Sequence, residues 1–209
     1  MMARKHTRSD LLIIARNLLR ELADDYHAGR IEHFKTPGRT YRARKPALHG
    51  FTLMRLANFA GCSKEDLYYH WHSKDALIFD VVDDACNAVE RDVHAAKTLL
   101  EVGIAASTLT DRAPALLFDG DAVVDPATRY RFNRCVGRIR ARARACIIKQ
   151  HGARAAVLAE GIALMLASAC TATTCHEDRT AVIWQAVKLG SDTLIGQHMP
   201  VEPRRKAHN

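Results

Sequence analysis

Between Thr52 and Leu77 the chain reads TLMRLANFAGCSKEDLYYHWHSKDAL, a stretch in which the ends of successive helices are set by local chemistry. Leu53, Leu56, Ala57 and Ala60 recur at helical spacing, and Gly61 then leaves the right-handed region at no steric cost, so a first helix stops there. Ser63 follows as an N-cap with Asp66 three residues on, a capping-box pattern in which both side chains satisfy backbone N–H groups at a helix start. Ser73, ahead of Lys74 and Asp75, repeats the start signal. Lys64 to His70 is therefore bounded on both sides and predicts a helix of only about two turns.

Two such helices around a tight turn form the pattern of a helix-turn-helix DNA reader, and two turns suffice to enter a major groove. The run Leu56-Ala57, Ala60-Gly61-Cys62-Ser63, Leu67-Tyr68, His70-Trp71 and Ser73-Lys74-Asp75-Ala76-Leu77 resembles, without a gap, the signature of the TetR family of bacterial transcriptional regulators. The likeness covers roughly the first 90 residues if one insertion is allowed, and beyond them it rests on helical character alone. It implies an all-α chain. An N-terminal three-helix helix-turn-helix domain (1–75) is joined to a helical ligand-binding and dimerisation domain (76–199), with a polar tail at 200–209. It also implies a homodimeric, ligand-responsive regulator, most often a repressor, that binds palindromic double-stranded operator DNA and answers to a small-molecule effector whose site the sequence does not locate.

Within the reader the DNA-binding candidates are Lys64, Glu65, Asp66, Tyr68, Tyr69, His70 and Lys74, with Thr52 at the start of the preceding helix. Leu67 and Trp71 are expected in the core, Trp71 standing where the family commonly has Phe. In the resemblance the tyrosine matching Tyr68 and the lysine matching Lys74 hold phosphates, and Lys74 also lies at a helix N-terminus, where backbone N–H groups assist anion binding. Tyr69 and His70 are candidates for base-edge or backbone contact. Glu65 and Asp66 depart from the family, which often carries small residues there. Three uses are open to them: accepting hydrogen bonds from cytosine amino groups, stabilising the helix start, or marking a weakened DNA contact in a protein that acts through a protein partner.

The formal net charge of +8 and a pI of about 9.4 favour a polyanionic partner. The charge is unevenly placed. Residues 1–50 carry 11 basic against 5 acidic side chains, 51–90 carry 3 against 7, and 91–209 carry 17 against 11, so the reader segment is itself acidic. A first helix from about Ser9 to Tyr26, with its stripe of Leu11, Leu12, Ala15, Leu18, Leu19 and Leu22, is expected to pack behind the reader. TetR relatives pass from that helix to the next in a few residues, whereas this chain inserts a basic segment at about 27–50. With its Pro37-Gly38 turn signal it fits a hairpin, an extra helical turn or a disordered loop. It is either a solvated loop or a basic arm whose Arg39, Arg42, Arg44 and Lys45 reach phosphates or a minor groove.

After Ser73 a helix is expected to about Val93, then weaker helices broken near Gly103 and Pro114, then a loop at 118–126. Phe132, Val136, Ile139, Ala143 and Ile147 make one apolar stripe on a helix otherwise dense in arginine. The last two helices, about Ala153 to Thr174 and Asp178 to His198, match the pair that forms a four-helix bundle across the family's dimer, with Leu158, Ile162, Leu166, Ile183, Val187 and Leu194 as the contact residues. Walker A, GxGxxG, GxSxG and HExxH motifs are all missing, so neither an enzyme nor a cofactor is expected. Cys170, Cys175 and His176 lack a finger spacing and an evident fourth ligand, so no metal is expected, and the six scattered cysteines read as buried thiols. With a polar start from Met1 to Asp10, and Glu160 interrupting the small-residue run from Ala155 to Cys175, a cytoplasmic protein is expected.

Overall fold

The structure, a computed structural model, describes residues 6–27, 33–36, 39–42, 50–112, 125–171 and 176–195, those at 24–27, 33–36, 39–42, 176–178 and 192–195 by their backbone alone. Among the described residues it is helical apart from one short antiparallel strand pair. In chain order the elements are α1 (Arg8–His27), β1 (His33–Thr36), β2 (Arg39–Arg42), α2 (Leu53–Ala60), α3 (Lys64–His70), α4 (Lys74–Ala95), α5 (Leu99–Arg112), α6 (Pro126–His151), a 3-10 turn (Ala153–Ala155), α7 (Ala156–Thr171) and α8 (His176–Ile195). The inserted segment thus contains an antiparallel pair, with Thr36 opposite Arg39 and Phe34 opposite Tyr41.

The α1 stripe is buried as its spacing requires: Leu11, Ala15, Leu18 and Leu19 are at most 1% exposed and share a core with Leu56, Ala57, Leu67 and Trp71. Burying each such leucine is worth roughly 1.5–3 kcal/mol, which makes this stripe the main hold between α1 and the reader. α4 is the axis of the molecule. It packs on α1, α5 and α6 and buries Leu77, Ile78, Val81, Val82, Ala85, Cys86 and Val89, so one continuous core runs from the reader to α8. The α6 stripe of Phe132, Val136, Ile139, Ala143 and Ile147 faces this core throughout.

Two expectations change. Gly103 does not break a helix but lies inside α5, where a Cβ would come within 2.5 Å of Val187 Cγ2; the missing side chain lets α5 and α8 approach. The stretch Ala153–Thr171, with a mean hydropathy of 1.5, is long and apolar enough by composition to cross a membrane, yet in the fold it supplies Ala159, Ile162, Ala163, Leu166, Ala169 and Cys170 to the core. The second change concerns the helix pair taken as a dimer contact. Ile162, Leu166, Ile183 and Val187 are at most 6% exposed within this one chain, so they have almost no surface left to give to a second copy, and Leu158 is partly buried against the same core. The side chain of Leu194 lies outside the described residues. The large apolar side chains that face outward are instead Val157, Leu164 and Met165 on α7 and Val182, Trp184 and Leu189 on α8, exposed by 87, 43, 38, 39, 40 and 49%.

Arg179 on α8 is the one charged side chain buried to 1% among the described residues. Its Nη2 and Nε donate to the carbonyls of Cys170 (2.6 Å) and Ala169 (3.3 Å), closing the C-terminal turn of α7, where unpaired carbonyls and the helix dipole favour a cation. Burial pulls its pKa down from the usual guanidinium value. Cys86, Cys135, Cys146 and Cys170 are buried thiols, and burial pushes Cys170 up to about 12, which keeps it protonated and inert. Cys62 is half-buried, while Cys175 and the side chain of His176 lie outside the described residues.

Candidate nucleic-acid interface

The reader is built by caps. Thr52 accepts the Arg55 N–H at 3.1 Å and opens α2. At the other end Gly61 sits at φ 65°, ψ 30°; its own N–H reaches the carbonyl of Asn58 (3.3 Å) and the Cys62 N–H reaches that of Ala57 (3.0 Å), the paired bonds of a Schellman turn. Ser63 then starts α3. The Asp66 N–H donates to Ser63 Oγ (3.1 Å), while the Ser63 N–H (3.1 Å) and hydroxyl (2.8 Å) donate to Asp66 Oδ2. The Trp71 N–H closes α3 on the Leu67 carbonyl at 2.9 Å, and Ser73 accepts the Ala76 N–H (3.1 Å) to open α4. The short helix lies between fixed ends, as its sequence predicts.

Its orientation against α1 and α4 is fixed by contacts distant in sequence. Trp71 is buried, and its indole Nε1–H donates to Asp80 Oδ2 at 2.5 Å. Arg8, at the start of α1, pairs with the same carboxylate oxygen, and its guanidinium carbon lies 5.9 Å from the Trp71 ring centroid. Three elements thus meet on one acid. Arg16 pairs with Asp84 at 3.2 Å, and Arg20 donates to the Asp111 carbonyl at 2.8 Å, adding two more ties from α1 to α4 and α5. Neither Arg8 nor Asp80 stood out in the sequence, because a pair 72 positions apart leaves no local spacing to find.

Most of the acidity of 51–90 is consumed inside the molecule. Asp80 and Asp84 hold α1, and Asp83 and Glu90 take the Arg131 fork on α6 at 2.6 and 2.7 Å, with Arg138 also on Glu90 at 2.7 Å. Burial would lower the Arg131 pKa, but the hydrogen-bonded carboxylates outweigh it and raise it, so this cation never titrates in the working range. Further along α6, Arg140 and Arg144 pair with Glu160 on α7, and Arg142 Nε donates to the Ala96 carbonyl at 2.7 Å. The arginine-rich helix is therefore largely a docking strip for α4 and α7.

The candidate residues of the reader take different places. Tyr69 is 83% exposed and points out. Tyr68 is 40% exposed, with the Lys64 ammonium 5.1 Å from its ring centroid, a cation held over a π face one helical turn away. His70 is half-buried between Tyr69 and Trp71, with ring centroids 5.1 and 5.5 Å away, so it is turned more to the protein than its sequence position suggests. Lys74 is also half-buried, and burial lowers its pKa against the opposing pull of Asp75. Asp66 is taken up by the capping box. Glu65 is exposed and has no hydrogen bond or ion pair among the described residues. With Asp66, Tyr69, His70, His6 and Thr7 it lines an open cleft of about 520 Å³. Arg39 and Arg42 lie on β2, their side chains outside the description, and Arg44 and Lys45 lie outside the described residues altogether. Among the described residues no group of three or more His, Cys, Asp or Glu is placed to hold a metal ion.

No protein-family model matches the chain, and no curated protein sequence matches it.

Proposed function

We propose that this chain is a TetR-type transcriptional regulator, a homodimer that binds palindromic double-stranded DNA through α2 and α3 and acts as a ligand-responsive repressor rather than as an enzyme. The observation that carries this is the Gly61 turn followed by the capped two-turn helix α3, held by the Trp71–Asp80–Arg8 lock and presenting Tyr69 and Tyr68 outward, with the half-buried Lys64 against the Tyr68 ring. A short helix with capped ends and two exposed tyrosines suits insertion into a major groove. The basic inserted segment, with Arg39 and Arg42 on β2, would add sequence-independent phosphate contacts. α7 and α8 form the dimer contact through Val157, Leu164, Met165 and Val182. A small molecule bound in the α4–α8 body would favour a spacing of the two readers that no longer fits successive major grooves, a population shift.

A second possibility is a TetR-like protein with weakened DNA binding that acts through a protein partner, and the exposed carboxylate of Glu65 on the reader favours it. Fluorescence anisotropy with the DNA upstream of its own gene, across a salt series, separates the two. A repressor binds with an affinity that falls steeply and linearly in log salt, and that binding exceeds binding to scrambled DNA of equal length. Equal, weak binding to both DNAs supports the protein-partner alternative.

A further inference from the structure

Glu65 and Asp66 are neighbours in sequence, yet the structure puts their carboxylates to different uses. Asp66 Oδ2 is closed in the capping box by the Ser63 N–H and hydroxyl. Glu65 is exposed, has no hydrogen bond or ion pair among the described residues, and opens into the 520 Å³ cleft formed with Tyr69 one turn further on and with His6 and Thr7 at the start of α1. We infer that Glu65 is a specificity-determining residue of the reader, accepting a hydrogen bond from the N4 amino group of a cytosine in the major groove. The inference rests on the DNA-binding function proposed above.

An ionised carboxylate only accepts hydrogen bonds, and this fixes what it can read. Guanine presents O6 and N7, both acceptors, and repels it. Thymine presents O4 and a methyl group and offers no donor. Adenine offers its N6 amino group beside the N7 acceptor, so the second carboxylate oxygen meets a lone pair. Cytosine offers the N4 donor with no acceptor beside it on its major-groove edge. Guanine and thymine leave a charge stripped of water, near phosphates and without a donor, and adenine sets a lone pair beside its one donor, so Glu65 selects as much by penalising wrong bases as by rewarding the right one. Tyr69, 83% exposed four positions on, lies on the same helix face and can cover the contact from water.

Binding-site selection from a random double-stranded DNA library, run with the full chain and with its Glu65→Ala and Glu65→Gln variants, tests this. Glu65 is exposed and outside the cap, so both variants are expected to match the wild-type circular dichroism and melting curve. Wild type should enrich sites with cytosine at one position of each half-site, preferred by about tenfold to a hundredfold. Glu65→Ala should lose the preference at that position alone, and Glu65→Gln, which both donates and accepts, should move it to adenine through N6 and N7. If both variants enrich the wild-type site unchanged, the inference is overturned while DNA binding stands. If folded Glu65→Ala enriches nothing where wild type does, the inference is also overturned, because reading one base is not needed for the remaining positions. If wild type enriches no site, the inference and the DNA-binding function fall together.

Discussion

Asp80 is the residue on which the setting of the reader turns, since its Oδ2 receives both the buried Trp71 indole and the Arg8 guanidinium. Asp80→Ala leaves a part-buried donor without a partner and should lower stability by about 1–3 kcal/mol in urea unfolding, with a parallel loss of DNA affinity as α3 loosens. Asp66→Ala removes the carboxylate half of the capping box and should cost about 1 kcal/mol. A third carboxylate gives a pH signature. Glu101 accepts the N–H groups of Lys97 and Thr98 at the start of α5, and these bonds hold its pKa below the usual glutamate range. A depressed folded pKa contributes stability that is present above the unfolded value, about 4.3, and is lost as pH falls through the folded value. Glu101→Gln should therefore be less stable than wild type at neutral pH and converge with it as the solution is acidified through the carboxylate range, measured as urea midpoints.

At the scale of elements, the two informative glycines act in opposite ways. Gly61 needs its positive φ, so Gly61→Ala strains the turn and should destabilise by about 1 kcal/mol or more while shifting the register of α3 against α2. Gly103 needs no special backbone. Alanine there gains about 1 kcal/mol of helix propensity, but its Cβ would lie 2.5 Å from Val187 Cγ2, an overpacking cost of about 1–3 kcal/mol. The single variant should be less stable than wild type, and Val187→Ala should rescue it in a double-mutant cycle. This contrast separates what the sequence carries from what it does not. The caps at Thr52, Ser63 and Ser73 and the Gly61 turn are legible because each donor and acceptor lies within five residues of its partner. The α1 and α6 stripes are legible because burial follows the helical period. The outward face of α7 is not, since that helix is apolar nearly all round and only the packing of α5, α6 and α8 decides that Leu166 points in and Leu164 and Met165 point out. The capping-box spacing marks Asp66 as the carboxylate that turns back to Ser63, whereas the exposure of Glu65 is not legible in the sequence, because it depends on what packs around α3.

For the molecule as a whole, the charge pattern and the fold explain each other. The acidic α4 lies between α1, which meets it with Arg8 and Arg16, and the arginine-rich α6, which meets it with Arg131 and Arg138; its carboxylates are spent on these four arginines. The proposed dimer rests on the outward faces of α7 and α8. Leu164→Glu with Met165→Glu should give a folded monomer in sedimentation and weaken operator binding, whereas Leu166→Glu, buried to 0%, should unfold the chain instead. The central claim is that two copies of α3 enter DNA together, and footprinting of the full chain on the DNA upstream of its own gene tests it most directly. The account predicts two protected patches on one face of the duplex, about 34–36 Å or a multiple of that apart, which vanish when Tyr68, Tyr69 and Lys74 are replaced by alanine in a chain that still folds. Uniform cleavage at concentrations where the chain is dimeric, or a footprint that survives the triple replacement, would contradict it.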